Sequence, residues 1–83
     1  LVNKAVPADQ FEETVSEWAE KVAANAPLAI QEIKRLFRHG LTQDFESHSH
    51  HVLMSVLNLF KSEDFKEGVQ SFITRKPPEF KGR

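Results

Sequence analysis

The sequence predicts an all-α protein of about four amphipathic helices with a short extended lead-in at its N-terminus. Apolar residues recur at three- and four-residue steps in four successive stretches, as they do on one face of a helix. The breaks between these stretches are short, which is typical of helices that pack as neighbours. A hydrophobic fraction of 40% and seven Phe place the chain in the globular class rather than the disordered one.

The lead-in and the first helix occupy residues 1–25. Two valines and the closing Pro7 favour an extended segment over residues 1–7. A helix is predicted over residues 8–25, where acidic residues crowd the beginning, as the helix dipole favours. Its apolar stripe contains Phe11, Val15, Trp18, Ala19 and Val22.

A second helix is predicted over residues 27–39. Pro27 suits its first position, because the N–H that proline lacks would be unpaired there. Ile30, Ile33 and Phe37 share one face. Basic residues gather near the end, and we expect Gly40 to cap the helix in the left-handed conformation.

The third helix is predicted to begin at Thr42 or Asp44 and to carry apolar residues in two directions. One stripe contains Phe45, Val52, Leu53, Val56, Leu59 and Phe60. At 100° per residue, Met54 and Leu57 point well away from that stripe. The helix therefore has two apolar surfaces to bury.

The fourth helix begins with Ser62 as its predicted N-cap, followed by two acids in the first turn. Arg75 and Lys76 lie at its carbonyl end, where cations are favoured, and two prolines then stop it. Its apolar stripe contains Phe65, Val69, Phe72 and Ile73.

Length and composition exclude several classes of protein. A chain of 83 residues makes one domain, residues 1–83, and buries only about 60% of its unfolded surface. It has no Cys for a disulfide framework, and a net charge of −1 argues against a nucleic-acid partner. No apolar run approaches the roughly 20 residues that span a bilayer, so we expect no membrane partner.

No catalytic or metal-binding motif stands out. His48, His50 and His51 have poor metal-ligand spacing and no Cys to complete a set, so we expect solvent-facing histidines and no metal. The carboxylates of the first helix lie on a face that is predicted to be exposed to solvent, whereas a catalytic carboxylate needs burial to shift its pKa. Without a nucleophile elbow or a phosphate loop, we assign no catalytic residue, and the chain is predicted not to be an enzyme by itself.

A basic cluster near aromatic residues is the best candidate for a ligand site. Such groups could hold a phosphorylated, nucleotide-like ligand. Cations at a helix end and in a solvated tail are also ordinary, so both interpretations stay open. The cluster contains Arg75, Lys76, Lys81 and Arg83, beside Phe72 and Phe80.

Several segments resemble the C-terminal region of the crotonase family, which includes enoyl-CoA hydratases and isomerases. They are Leu-Val-Asn-Lys-Ala-Val-Pro at residues 1–7, Ser-Glu-Asp-Phe-Lys-Glu-Gly-Val at 62–69, and Arg-Lys-Pro-Pro-Glu-Phe-Lys-Gly-Arg at 75–83. The two middle helices match mainly in pattern, and the histidine run at 48–51 is atypical. The resemblance implies that this is the C-terminal helical part of a crotonase-type α/β fold, with a spiral ββα catalytic core expected before Leu1.

The resemblance also implies a division of labour. The expected core carries the CoA-ester pocket, where two backbone N–H groups hold the enolate and carboxylates move protons. In the family, the C-terminal helices form the contacts that assemble trimers, often paired into hexamers, and they cover the acyl pocket. Met54 and Leu57 fit this role as interface residues. It implies acyl-CoA contacts at Phe72, at Arg75 in place of the family's Lys, and at the neighbouring Lys76.

The expected ligand is an acyl-CoA substrate, with no cofactor beyond its coenzyme A, in the cytoplasm of a bacterium or the mitochondrial matrix of a eukaryote. The residues leave the reaction and the acyl chain open. A free-standing acyl-CoA carrier of similar length is an alternative, although the absence of Tyr counts against it. A helical protein-interaction module that docks a partner on the third helix is another.

Overall fold

The computed structural model describes residues 1–83 and contains four α-helices without a strand. A 3₁₀ turn at Ala8–Gln10 leads into α1 (Phe11–Ala23), followed by α2 (Pro27–Gly40), α3 (Phe45–Phe60) and α4 (Glu63–Thr74). The all-α prediction is confirmed. None of these helices combines the length and the apolar character needed to cross a bilayer.

Side-chain caps define where α3 and α4 begin. The Asp44 carboxylate accepts a hydrogen bond from the Ser47 N–H at 2.8 Å, which selects Asp44 over Thr42 as the N-cap of α3. The Ser62 hydroxyl accepts from the Phe65 N–H at 3.1 Å, as predicted for α4. Both caps satisfy an N–H that has no partner within its own helix.

Gly40 does not cap α2 in the left-handed conformation, so that prediction was wrong. Gly40 belongs to the helix, and the chain leaves it through Leu41 with a right-handed φ of −69°. The glycine is explained by close packing instead, since a Cβ at Gly40 would lie 3.1 Å from the ring of His48. His48 of α3 thus packs directly on the backbone of α2.

The helices form a flat arrangement that does not enclose an apolar core. The molecule measures 44 × 38 × 18 Å, and its radius of gyration is 16.2 Å. A compact domain of this length would have a radius of about 12 Å. Only Ser55 and Asp64 are buried, and every apolar stripe predicted from the sequence keeps exposed members.

The last residues fold back along α4. Arg75 adopts the left-handed conformation with φ 57° and ends the helix, which places Arg75 and Lys76 at its carbonyl end as predicted. Residues 76–83, here called the strap, then run back toward the beginning of α4. The Glu79 N–H donates to the Glu67 carboxylate at 3.1 Å, and the Asp64 N–H donates to the Arg83 carbonyl at 2.9 Å.

Candidate functional site

An apolar groove lies between the start of α2, the second half of α3, α4 and the strap. Its volume is about 470 Å³. This volume falls within the range of small-molecule sites, which are concave and mostly apolar. The lining includes Leu28, Val56, Phe65, Val69, Phe72 and Phe80.

Phe72 connects the apolar groove to a basic depression. Its side chain is 85% exposed and lies at the edge of the groove. The same residue lines a neighbouring depression with Arg75 and Lys76. The structure therefore brings together the three residues for which the family resemblance implied ligand contacts, and the contacts themselves stay predictions.

Arg75 and Lys76 are free to meet an anionic group, because neither side chain forms a salt bridge. The Ser71 hydroxyl donates a hydrogen bond to the Lys76 carbonyl, which fixes the backbone beside these two cations. A guanidinium presents a planar set of donors that suits phosphate oxygens.

The four cations predicted as one cluster are divided between the two ends of α4. The Arg83 guanidinium donates to the Glu63 carboxylate at 2.9 Å. The Lys81 N–H is held by Asp64 near the start of the helix. Asp64 and Arg75 are 11 positions apart, which corresponds to about 16 Å along a helix. Only Arg75 and Lys76 therefore belong to the basic depression.

The predicted interface residues on α3 are exposed. Met54 is 42% exposed and Leu57 is 43% exposed. Leu53 and Phe60, which belong to the other apolar stripe of α3, are more exposed still, at 53% and 51%. Because the arrangement is flat, α3 presents apolar groups on both sides, and the interface role stays a prediction.

Two of the histidines are not solvent-facing, so that expectation was wrong for His48 and His51, which are half-buried. Both direct Nδ1 toward the side-chain oxygen Oε1 of Gln43, at 2.9 Å for His48 and 3.4 Å for His51. The His39 ring meets the His51 ring edge-on, with centroids 5.4 Å apart. No three His, Cys, Asp or Glu side chains are placed to hold a metal ion.

Asp64 has a structural role that the sequence did not reveal. It was predicted only as an acid in the first turn of α4, yet it is the most buried residue of the chain, at 3% exposure. Its two carboxylate oxygens accept hydrogen bonds from the N–H groups of Lys81 and Gly82, each at 2.7 Å. The sequence feature that could have indicated this role is Gly82, because its φ of 75° in the structure is one that favours glycine.

A second apolar surface lies along α1. Phe11, Val15, Trp18 and Val22 form an exposed stripe, which is joined by Val6 of the lead-in. The only charged side chain among its lining residues is that of Lys4. A site for an ionic ligand is therefore less well supported here than at Phe72, Arg75 and Lys76.

Comparison with known proteins identifies the family. The sequence model of the enoyl-CoA hydratase/isomerase family matches residues 1–83. The chain is 31% identical over 87 residues to carnitinyl-CoA dehydratase of Salmonella typhi, and this match covers 100% of the chain and 33% of the relative. The chain thus spans about a third of the length of the curated relatives it matches.

Solved structures agree. An enoyl-CoA hydratase from Mycobacterium tuberculosis H37Rv superposes with a TM-score of 0.89 and 27% identity, over 99% of this chain and 32% of that one. An enoyl-CoA hydratase from Bacillus anthracis gives 0.88 and 29%, over 94% and 30%. This chain belongs to the enoyl-CoA hydratase/isomerase family and matches the C-terminal third of its relatives.

Proposed function

We propose that residues 1–83 form the pocket-closing and oligomerisation part of an enzyme that acts on acyl-CoA thioesters, in fatty-acid or related acyl-CoA metabolism. The observation that carries the proposal is the continuity at Phe72 between an apolar groove and two unpaired cations. An acyl-CoA has the matching chemistry, with an apolar chain at one end and phosphates at the other. Phe72 would line the acyl chain, while Arg75 and Lys76 would meet the phosphates.

The catalytic groups are proposed to lie outside these residues, in a core of the kind that occupies the remaining two thirds of the relatives. No residue of this chain is therefore assigned a role in proton transfer. The ligand is the coenzyme A thioester itself, without a further cofactor. We place the enzyme in the cytoplasm of a bacterium or in the mitochondrial matrix of a eukaryote.

The oligomerisation role is supported by the extent of exposed apolar surface. Large apolar side chains are exposed on all four helices, whereas monomeric proteins rarely expose contiguous patches of more than a few hundred Å². Met54 and Leu57 lie on the α3 part of this surface. Assembly into a homotrimer or hexamer, together with contacts to a catalytic core, would cover it.

The test starts from the protein as its gene encodes it. Its intact mass, its native mass and its hydration of crotonyl-CoA would be measured together, with the 83-residue chain of 9.5 kDa assayed in parallel. We expect a subunit about three times heavier than this chain, assembled in multiples of three, and hydration or isomerisation of an acyl-CoA by that protein alone. A native mass near 9.5 kDa, or hydration by the 83-residue chain unaided, would overturn the proposal.

A further inference from the structure

Asp64 makes three of the four hydrogen bonds at the far end of the strap, and the fourth joins Arg83 to Glu63. Asp64 accepts from two consecutive backbone N–H groups, those of Lys81 and Gly82, and its own N–H donates to the Arg83 carbonyl. Hydrogen bonds to a charged acceptor are among the stronger ones, and here the acceptor is almost completely buried. Gly82 itself has a φ of 75°, a left-handed conformation that glycine adopts without the steric cost of a Cβ.

The anchored strap bridges two helices across the groove. Phe80 lies beside Gly68 of α4, where an added Cβ would be 3.7 Å from the Phe80 ring. Gly82 lies beside Pro27 at the start of α2, where an added Cβ would be 3.7 Å from the proline Cβ. Phe80 is thereby held between the two contacts as one wall of the apolar groove.

The near end of the strap has independent supports. The left-handed turn at Arg75 reverses the chain, and the Ser71 hydroxyl binds the Lys76 carbonyl. These contacts lie at the other end of α4 from Asp64. Loss of the Asp64 contacts would therefore loosen Phe80, whose neighbour Glu79 keeps its hydrogen bond to Glu67, while leaving Arg75 and Lys76 in place.

We propose that Asp64 is a positioning residue, which anchors the strap so that Phe80 forms a wall against the acyl chain. This inference rests on the proposed function, because it takes the acyl chain of an acyl-CoA as the occupant of the groove. It assigns the acyl part of the ligand to Phe80 and the phosphate part to Arg75 and Lys76. Loss of the anchor thus weakens acyl recognition selectively.

Asp64→Asn tests the anchor, because an amide keeps the size of the side chain but replaces one acceptor by a donor that faces an N–H. The matched control is Glu63→Gln, which changes the adjacent acid, whose only partner is the exposed Arg83.

Phe80→Ala removes the wall, and Phe45→Ala is its control, because Phe45 is 87% exposed and lies outside the groove. Gly82→Ala loosens the anchor without altering the carboxylate, should Asp64→Asn fail to fold.

The measurements use the protein encoded by the whole gene. Hydrogen exchange of the Lys81 and Gly82 amides is expected to accelerate at least about tenfold in Asp64→Asn and to change less than twofold in Glu63→Gln. The affinity for butyryl-CoA is expected to fall about fivefold in Asp64→Asn, Gly82→Ala and Phe80→Ala. The affinity for free CoA should stay within twofold, which a general loss of stability would not produce.

Three outcomes would overturn the inference. Unchanged hydrogen exchange of the strap amides in both Asp64→Asn and Gly82→Ala would show that Asp64 does not anchor the strap. An unaltered ratio of butyryl-CoA to CoA affinity in Phe80→Ala would show that Phe80 does not contact the acyl chain, while leaving the proposed function intact. Failure of the unmodified protein to bind either ligand would overturn the proposed function, and the positioning role with it.

Discussion

The imidazole of His48 lies against the backbone of Gly40, so closely that a Cβ at position 40 would be 3.1 Å from two ring atoms. The ring has little freedom to move away, because its Nδ1 is bound to the Gln43 side chain at 2.9 Å. This contact is one point at which α2 and α3 meet. Gly40 is therefore a packing requirement within a helix.

Gly40→Ala is expected to destabilise the protein by about 1 kcal/mol, despite the better helix propensity of alanine. The matched control is Gly68→Ala in α4, where the added Cβ would make an ordinary contact at 3.7 Å. That change should stabilise by about 0.5–1 kcal/mol. Urea unfolding of both variants measures the difference, and a gain in stability for Gly40→Ala would contradict the close-packing explanation.

Acidification should weaken the start of α3 through Asp44. The Ser47 N–H, followed by the Ser47 hydroxyl, stabilises the carboxylate and holds the pKa of Asp44 below its ordinary value of 3.8. Because the folded pKa is lower than the unfolded one, the stabilisation is complete above pH 3.8. It is lost as the pH falls through the folded value.

Asp44→Asn keeps a capping acceptor but cannot titrate, so it isolates this effect from those of other carboxylates. The measurement is the stability of variant and unmodified protein, compared at pH 6 and at successive values below 4. We expect the advantage of the unmodified protein to shrink across the acidic range. A constant difference would exclude the Asp44 carboxylate as the source.

Local chemistry was readable from the sequence, and contacts between distant residues were not. Ser62 identified the start of α4, and Asp44 was one of two candidates for the start of α3, because a cap bonds an N–H three residues away. The reason for Gly40 depends on His48, which lies in the next helix. From the sequence, Asp64 cannot be distinguished from other acidic residues in the first turn of a helix, because its partners Lys81 and Gly82 are 17 and 18 residues away.

The candidate site was predicted in part for a similar reason. Phe72, Arg75 and Lys76 are close in sequence, and their helix holds them together. Phe80 joins the groove only because the strap folds back, and no periodicity indicates that return. The apolar stripes were also visible, but periodicity does not say which surface covers them, and the flat structure leaves them exposed.

Arg75 has a backbone conformation that lowers the stability of the fold, and its side chain is proposed to bind the ligand. A left-handed φ of 57° is unfavourable for a side chain with a Cβ, at a cost of about 1 kcal/mol relative to glycine. Arg75→Gly should therefore raise stability by about that amount while weakening the affinity for free CoA about tenfold. Arg75→Lys serves as the control that keeps the charge. An unchanged CoA affinity in Arg75→Gly would exclude a phosphate contact at this position.

The proposed assembly makes a separate prediction for the side of α3 that carries Met54 and Leu57. Replacing both Met54 and Leu57 by Asp places two charges where an apolar contact is proposed, which would cost far more than the contact provides. We expect the native mass to fall from the oligomer to a single subunit, while circular dichroism shows unchanged helical content. His50→Asp is the matched control, because it adds a charge to an exposed position of the same helix. An oligomer that survives the double substitution would place the interface on another face of the molecule.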